Sequence, residues 1–356
     1  MPKLIEFREK LKELGIDAAL ITSEINQYYL CDFPFQDGYL FISSTEAYLV
    51  TDFRYYEAAL EKRFSDFEVL SPKDRTGTLR ELICSTGAKT LGFEGSNLSY
   101  RDYIACKEKY SDITLVDLGT TIEDLREIKT EGEILNMQKA QDITDAAFSH
   151  LLRHIRRDMT EIEVAAELEY AMRRMGADSP AFETIAVSGD ASAVPHGTPR
   201  GVKLRDGFLT LDFGAKYKGY CSDMTRTLVI GRADADIKRL YNTVLRAQSE
   251  ALQFLRMGVS PSRADAVARD VIDAIPEYKG TFGHSLGHSV GLMVHESPTL
   301  SPRAKREGVK VGEIYTVEPG IYLMGRYGCR IEDMVKITES GVYNFTHSTK
   351  ELIEIE

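Results

Sequence analysis

The chain has 356 residues, 43% of them hydrophobic, which is enough to bury two separate cores. Its formal net charge of −11 argues against nucleic acid as the main partner, because phosphate backbones attract basic surfaces. The charged N-terminus lacks the apolar run of a secretory signal, and no stretch is apolar enough to span a membrane. The five cysteines show no paired spacing, so we expect a cytoplasmic protein without a disulfide framework.

The first third of the chain predicts an α/β domain. Apolar residues recur at helical spacing from Leu4 to Leu14, and Gly15 is expected to end that helix. The segments AALITS, GYLFIS, AYLVTDF and TLGFEG read as strands, and helical patterns such as DFRYYEAALEKRF alternate with them. We place this domain at residues 1–122 and a second domain at residues 123–356, and we expect TTIEDLREIKTEGE to connect them as a helix.

The second domain predicts long amphipathic helices that alternate with β-hairpins. Four segments have helical periodicity: EILNMQKAQDITDAAFSHLLRHI, TEIEVAAELEYAMRRMG, DIKRLYNTVLRAQSEALQFLRMG and SRADAVARDVIDAI. Thr160 and Glu163 have the spacing of a capping box at the start of the second of these helices. Helices and hairpins follow one another in two similar halves.

Two aspartates flank the first of these hairpins. LTLDFG and YCSDMTRTLVI read as strands that are joined by a turn at KYKG. The midpoint of Asp212 and Asp223 falls between Tyr217 and Lys218, so a regular hairpin would place the two aspartates opposite each other. Like charges directly opposite destabilise a hairpin, so this pair needs a cation or solvent. A solvent-exposed face with accidental alignment is the alternative.

Two glutamates repeat this arrangement near the C-terminus. IYTVEPGIYLM and GCRIEDMVKIT read as strands on either side of GRYG, and Glu318 and Glu332 are centred on Gly325. Pro319 removes a ladder donor and is expected to bend its strand. Arg330 lies two residues before Glu332 on the same face, where it can orient a carboxylate. An ordinary surface salt bridge is the alternative for this arginine.

Histidines concentrate in the segment GHSLGHSVGLMVHE, which contains His284, His288 and His295. The segment is Gly-rich and is not expected to be a helix, and no Glu follows His284 as an HExxH motif would require. Its small residues permit close approach to a ligand, which favours a site. His196 in SAVPHGTPR is a fourth candidate. We interpret the other three histidines as non-catalytic: His150, His154 and His347.

The clustered carboxylates predict a metal centre. A buried group of four carboxylates and one imidazole would repel itself strongly without cations, and two divalent metals would neutralise it. Oxygen-rich donors with one imidazole favour Mn, with Co, Fe or Zn as alternatives. We interpret Cys221 and Cys329 as packing residues rather than soft ligands. The predicted metal ligands of this two-metal hydrolase are Asp212, Asp223, His288, Glu318 and Glu332.

The ordered motifs SGDASAVPHG, LDFGAKYKGYCSDMTRT, HSLGHSVGLMVHE, VEPGIY and RIEDMV resemble the pita-bread metallopeptidases, and most closely their Xaa-Pro branch of prolidase and aminopeptidase P. The N-terminal third resembles the creatinase-type domain of that branch. The resemblance implies an α/β (α+β) fold, with a pita-bread catalytic domain that has an internal pseudo-twofold, and a homodimer. One departure is Ser289, which stands where the family often has glycine in GHGIG.

The resemblance also implies roles for the metal ligands. Asp223 and Glu332 would bridge the two metals, Asp212 would bind one of them, and His288 and Glu318 would bind the other. Glu318 could also handle the proton of the attacking water.

The resemblance assigns the other histidines to catalysis or substrate binding. His295 and His196 would stabilise the developing oxyanion or hold the substrate. His284 would help to hold the substrate or to order the site. An apolar slot for the proline ring is also expected, and several apolar residues lie near the motifs in sequence: Phe282, Leu292, Met293 and Tyr322.

The expected activity is hydrolysis of the Xaa-Pro bond of proline-containing peptides, and we favour an Xaa-Pro dipeptidase. A dipeptidase must hold the free carboxylate of its substrate, for which an arginine is the natural partner. Arg326, in the turn between the Glu-bearing strands, and Arg200 in HGTPR are candidates. The first alternative is an aminopeptidase P that acts on longer peptides. Minor alternatives are a non-catalytic peptide-binding module of the same fold and hydrolysis of an organophosphate bond.

Overall fold

The computed structural model describes residues 3–356, and the chain divides into two compact units, Met1–Arg126 and Glu127–Glu356. The sequence interpretation placed the boundary between residues 122 and 123. Within residues 3–356, none of the helices combines the length and the apolar character needed to cross a bilayer.

The first unit is a six-stranded sheet with helices between its strands. The strand order is β4-β3-β2-β1-β5-β6; β2 pairs antiparallel with both neighbours, and the other pairs are parallel. The strands are β1 (Ala18–Ile21), β2 (Tyr39–Ser43), β3 (Ala47–Val50), β4 (Glu68–Leu70), β5 (Thr90–Phe93) and β6 (Thr114–Asp117). The helices are α1 (Lys3–Leu14), α2 (Glu24–Cys31), α3 (Phe53–Lys62), α4 (Arg75–Thr86), α5 (Tyr100–Lys109) and α6 (Thr121–Arg126).

The segment that follows α6 is not part of one continuous connecting helix, so that prediction was wrong. Helix α7 (Glu131–His154) begins after Thr130, which has extended backbone and accepts a hydrogen bond from the N–H of Glu133. The side chain of Glu133 accepts one in return from the N–H of Thr130 at 2.8 Å. A capping box of this kind starts a new helix, because the cap residue itself must leave helical geometry.

The second unit contains four long helices and fourteen strands. After α7, the helices are α8 (Glu161–Arg174), α9 (Ala235–Phe254) and α10 (Pro261–Asp273), with short 3-10 helices at Gly189–Ala193 and Pro276–Tyr278. The strands up to the second helix pair are β7 (Ser179–Pro180), β8 (Ile185–Ser188), β9 (Gly207–Phe213), β10 (Ala215–Tyr217), β11 (Tyr220–Cys221) and β12 (Met224–Ile230). The remaining strands are β13 (Gly287–Ser289), β14 (Glu296–Leu300), β15 (Ile314–Val317), β16 (Gly320–Leu323), β17 (Tyr327–Arg330), β18 (Asp333–Ile337), β19 (Val342–Asn344) and β20 (Glu354–Ile355).

The second unit has two hydrophobic cores, and each of them joins a helix pair to antiparallel strands. Helices α7 and α8 pack on the sheet β20-β12-β9-β8, and the predicted capping box of Thr160 and Glu163 at the start of α8 is confirmed. Helices α9 and α10 pack on strands of the sheets β15-β18-β19 and β16-β17. The mixed α/β class predicted from the sequence is confirmed. The repeated pairing of helices with hairpins is what the expected pseudo-twofold requires.

Candidate active site

The first acidic hairpin pairs in a different register from the one predicted. Asp212 on β9 lies opposite Thr225 of β12, not opposite Asp223. The turn residues are Lys218 and Gly219, both with positive φ, as in the two-residue turns that match the twist of a hairpin. This turn lies one residue beyond the predicted midpoint and shifts the register by two residues. A shift of two keeps side chains on the same face, so Asp212 and Asp223 become diagonal neighbours that line one cavity.

The second acidic hairpin has the predicted register. Strands β15 and β18, and then β16 and β17, pair in one common register that places Glu318 opposite Glu332. The ladder is interrupted at these two residues. The N–H of Glu318 donates to the carbonyl of Leu286 at 2.9 Å, and that of Glu332 donates to the carbonyl of Thr225 at 3.1 Å. Pro319 has no N–H to continue the ladder, so the hydrogen bonds between the two strands stop at Glu318.

The imidazole of His288 lies between carboxylates of both hairpins. Its Nε2 is 3.6 Å from Asp223 Oδ2 and 3.4 Å from Glu318 Oε1. Asp223, His288 and Glu332 each offer a donor atom, and the three atoms lie within 4.8 Å of one another. The Nδ1 of His288 is 3.1 Å from the carbonyl oxygen of Ser289. Because a carbonyl only accepts, Nδ1 carries the proton and Nε2 keeps the lone pair that a metal ligand needs.

Arg330 orients one of the aspartates. Its Nη2 is 2.5 Å from Asp212 Oδ2, its Nε donates to Thr225 Oγ1 at 3.0 Å, and its Nη1 donates to the hydroxyl of Tyr322 at 2.7 Å. The hydroxyl of Thr225 donates in turn to Glu332 Oε2 at 2.6 Å. One buried guanidinium therefore holds Asp212 directly and supports Glu332 through a threonine.

The cluster carries the electrostatic signature of a cation site. Asp212 Oδ1 is buried and meets no hydrogen-bond partner among the described residues. Burial and the neighbouring carboxylates raise the pKa of Asp223 and of Glu332 well above their ordinary values. Burial, with the nearby Asp212 charge, also raises the pKa of Glu318 to about 8. Donor atoms that share one ion lie within about 4.2 Å, twice a metal–ligand bond of ~2.1 Å, and the contacts of His288 satisfy this limit. The donor set therefore fits divalent ions.

The four candidate histidines meet in the same cavity. His284 Nε2 lies 2.9 Å from the hydroxyl of Tyr322, and burial lowers the pKa of His284 to about 4. The ring of His295 stands 4.2 Å from that of His288, centroid to centroid, and burial lowers the pKa of His295 as well. His196 lines the same cavity, as do Pro195 and Pro199 of its segment. Together with the carboxylates, these histidines bring side chains from all five sequence motifs to one cavity.

The cavity has a volume of about 460 Å³ and an apolar wall that sequence reasoning missed. None of the four apolar residues named from the sequence is part of the cavity lining. Phe282 and Leu292 are buried in the core, and Met293 is 45% exposed. The hydroxyl of Tyr322 forms hydrogen bonds with Arg330 and His284. The apolar residues that line the cavity are Phe182, Ile185, Pro195, Pro199 and Val294. Proximity in the chain to SGDASAVPHG could have suggested those at 182–199, because that segment carries His196.

Neither arginine proposed for a substrate carboxylate lines the cavity. The guanidinium of Arg200 contacts Glu161 at 2.8 and 2.7 Å, and the Glu161 side chain is fully buried. Arg326 has a side chain that is 59% exposed, and its nearest acidic partner is Asp236 at 3.9 Å. Among the described residues, Arg330 is the arginine that lines the cavity. Arg200 is needed to compensate a buried charge, which the sequence around it does not reveal.

A buried ion pair that was not predicted from the sequence anchors the segment that carries His288 and His295. Lys129 Nζ donates to Ser289 Oγ at 3.1 Å and to Glu296 Oε2 at 3.2 Å. The side chains of Lys129 and Glu296 are only 2% and 5% exposed. Ser289 follows His288 and Glu296 follows His295. This network therefore holds both ends of the stretch 288–296, which we call the histidine loop. The serine that departs from the GHGIG pattern is therefore part of a structural contact.

Comparisons with known proteins agree with this geometry. Residues 135–339 match the model of metallopeptidase family M24, and residues 3–128 match that of the creatinase/prolidase N-terminal domain. The Xaa-Pro dipeptidase of Pyrococcus furiosus is 38% identical over 99% of this chain and 99% of its own length. The solved structure of an Xaa-Pro dipeptidase from Bacillus anthracis has a TM-score of 0.95 at 40% identity, with 99% of each chain covered. That of an X-Pro aminopeptidase from Thermotoga maritima has a TM-score of 0.91 at 35% identity, covering 98% of this chain and 100% of the other. These matches confirm the resemblance and the fold predicted from the motifs.

Proposed function

The chain belongs to metallopeptidase family M24, and on that premise we propose that it hydrolyses the peptide bond that precedes proline, acting as an Xaa-Pro dipeptidase. The observation that carries this proposal is the convergence of four carboxylates and four histidines on one cavity with an apolar wall. Two relatives of similar length, from Pyrococcus furiosus and Bacillus anthracis, are described as Xaa-Pro dipeptidases. Aminopeptidase P activity on longer peptides is the second candidate, because the similar protein from Thermotoga maritima is described as an X-Pro aminopeptidase.

The proposed cofactors are two divalent metal ions. The residues that would hold them are Asp212, Asp223, His288, Glu318 and Glu332. The partnerless Asp212 Oδ1 and the raised pKa of Asp223 support this assignment. When bound, such ions polarise the scissile carbonyl and lower the pKa of the attacking water. We propose Mn²⁺ because four of the five ligands are carboxylates, with Co, Fe and Zn as alternatives.

The protein's own side chains would position the peptide and move the proton. Glu318 would accept the proton of the attacking water and return it to the leaving nitrogen. Its Oε1 lies near His288, whereas its Oε2 lies 4.0 Å from His284 Nδ1. That return matters for proline, whose imide nitrogen carries no proton of its own. His295 and His196 would donate hydrogen bonds to the developing oxyanion. His284, held by Tyr322, would contact the peptide backbone.

Arg330 would act on the carboxylates rather than on the substrate. Its three guanidinium nitrogens already contact Asp212, Tyr322 and Thr225. Neither Arg200 nor Arg326 lines the cavity. The proposed preference for dipeptides therefore rests on the relatives and not on an identified carboxylate clamp.

The test compares a matched Xaa-Pro dipeptide and Xaa-Pro-Yaa tripeptide, using protein stripped of metal and reconstituted with Mn²⁺. Preferential cleavage of the dipeptide would support the dipeptidase. Preferential cleavage of the tripeptide would favour the aminopeptidase. An Xaa-Ala dipeptide and the Asp223→Ala variant serve as controls for proline specificity and for the metal centre. If metal-loaded protein cleaves neither proline peptide, the proposed function is wrong, and a peptide-binding role becomes the better explanation.

We also propose a cytoplasmic location, because all five cysteines are free thiols. The homodimer implied by the resemblance stays a prediction, which light scattering on the purified protein would test.

A further inference from the structure

A second group of metal-capable side chains lies between α7 and α8, away from the carboxylate cluster. His150 and His154 are one turn apart on α7, so their side chains share a face of that helix. Glu167 projects toward them from α8, and its Oε1 lies 2.6 Å from His150 Nε2. The three side chains each offer a donor atom, and these atoms lie within 4.8 Å of one another. The two rings stack with their centroids 4.0 Å apart.

The hydrogen bonds of His154 leave one of its nitrogens ready for a ligand. Its Nδ1 lies 2.8 Å from the carbonyl oxygen of His150 in the preceding turn. A carbonyl cannot donate, so Nδ1 is the donor of this bond, and Nε2 is the ring nitrogen that remains to bind an ion. Histidines that bind metals are commonly held in this way, with the other ring nitrogen donating to a backbone carbonyl. His288 in the candidate active site makes the equivalent contact with the carbonyl of Ser289.

We propose that His150, His154 and Glu167 form a second, mononuclear site for a divalent ion of the Zn²⁺ class. Two imidazoles and one carboxylate suit Zn²⁺, Ni²⁺ or Cu²⁺ better than the harder Mn²⁺. The carboxylate-rich cavity, by contrast, suits the harder Mn²⁺ better. The two sites of this unit therefore differ in the metal that they prefer.

The site joins two helices that pack on the same sheet. Ala147 and Leu151 on α7 and Leu168 on α8 are buried in the core over β8, β9 and β12. The metal-binding group lies on the outer side of this helix pair, where His154 is exposed and Glu167 is partly exposed. Strand β9 carries Asp212, but the group does not line the catalytic cavity. An ion held here would link α7 to α8 and stabilise the folded state without entering the peptidase reaction.

Equilibrium dialysis of the full-length, metal-stripped protein against Zn²⁺ tests this site, with elemental analysis to count the bound ions. We expect His154→Ala and Glu167→Gln each to bind about one equivalent fewer than the wild type, because loss of a ligand weakens the site by at least about tenfold. Glu169→Gln is the matched control, since it removes the same charge two residues along α8 and should bind as the wild type does. Circular dichroism confirms that each variant folds.

The same comparison in a His288→Ala background separates this site from the proposed catalytic centre. There, Zn²⁺ should raise the melting temperature by a few degrees, and adding His154→Ala should make that shift smaller. The hydrolytic activity of the His154→Ala single variant, loaded with Mn²⁺, should equal that of the wild type. Equal Zn²⁺ stoichiometry in wild type and His154→Ala would overturn the proposal, as would an equal loss in Glu169→Gln. Neither result depends on which peptide the protein cleaves.

Discussion

The catalytic unit contains two clusters of metal-capable side chains, and they differ in burial and in ligand type. The cavity cluster has four carboxylates, of which Asp223 and Glu332 are only 4% and 1% exposed. The α7–α8 cluster has two imidazoles and one carboxylate at the surface. Buried like charges cost folding energy unless a cation is present, whereas side chains at the surface keep their contact with water without one. Metal removal should therefore disturb the first cluster strongly and the second only slightly.

The largest expected effect is loss of hydrolysis when a buried carboxylate is removed. Asp223→Ala should lower kcat/KM by more than about 100-fold. Loss of a residue that only hydrogen-bonds to a metal ligand costs up to about 100-fold, and loss of the ligand itself should cost more. The measurement is steady-state hydrolysis of an Xaa-Pro dipeptide at saturating Mn²⁺. Glu167→Gln, the matching change in the surface cluster, should retain the wild-type rate. Activity of Asp223→Ala within tenfold of wild type would contradict the ligand assignment.

The buried ion pair that anchors the histidine loop should give the next largest effect. Lys129→Met removes the cation that faces Glu296, and breaking a buried pair costs up to about 3 to 5 kcal/mol of unfolding free energy. The double variant Lys129→Met/Glu296→Gln should recover much of this loss, because it removes both charges. Urea denaturation of the metal-loaded proteins measures it. If the single and double variants were equally stable, the pair would not be compensating a buried charge.

Arg330 should matter for activity more than for folding. Arg330→Lys keeps a positive charge but cannot contact Asp212, Tyr322 and Thr225 together. We expect a loss of about 10- to 100-fold in Mn²⁺ affinity or kcat/KM, the range for residues that orient a metal ligand. The exposed Arg326→Lys is the matched control and should leave both values unchanged. An equal effect of the two substitutions would show that Arg330 has no orienting role.

The metal-free protein should lose stability as the pH rises from about 6.5 to 8. Glu318 has a pKa of about 8 in the folded state, above its ordinary 4.5, so folding takes up a proton and stability is lost as that proton is released. The pKa values of His284 and His288 are lowered from the ordinary 6.5 to about 4. These two groups therefore make the protein more stable as the pH rises from about 4 to 6.5, and they add no further change above that range. One proton corresponds to about 1.4 kcal/mol per pH unit, or roughly 2 kcal/mol over this range.

Urea unfolding in the presence of a chelator, at pH 6.5 and at pH 8, measures this smallest effect. Saturating Mn²⁺ should remove the loss, because a bound cation favours the ionised carboxylates. Metal-free stability that stays constant or increases over this range would contradict the shift.

The comparison of the two acidic hairpins shows how far periodicity reaches. Glu318 and Glu332 lie opposite each other as the sequence predicts, because the turn between their strands is centred on Gly325. The predicted aspartate register was wrong by two residues, because the turn is formed by Lys218 and Gly219 rather than by Tyr217 and Lys218. The face was still right, since the side chains of a strand alternate with a period of two.

The sequence by itself determined the local chemistry: the acidic hairpins, the histidine loop, the capping box of α8 and the family. Tertiary structure alone decided which distant side chains meet. Arg200 forms an ion pair with the buried Glu161. Lys129 contacts Glu296, 167 positions away in the chain. His150 and His154 on one helix lie close to Glu167 on the next. Local patterns depend on neighbours within a few residues, whereas these contacts depend on how helices and sheets pack. A charge-pairing or metal-binding partner from another element leaves no periodic signal in the chain.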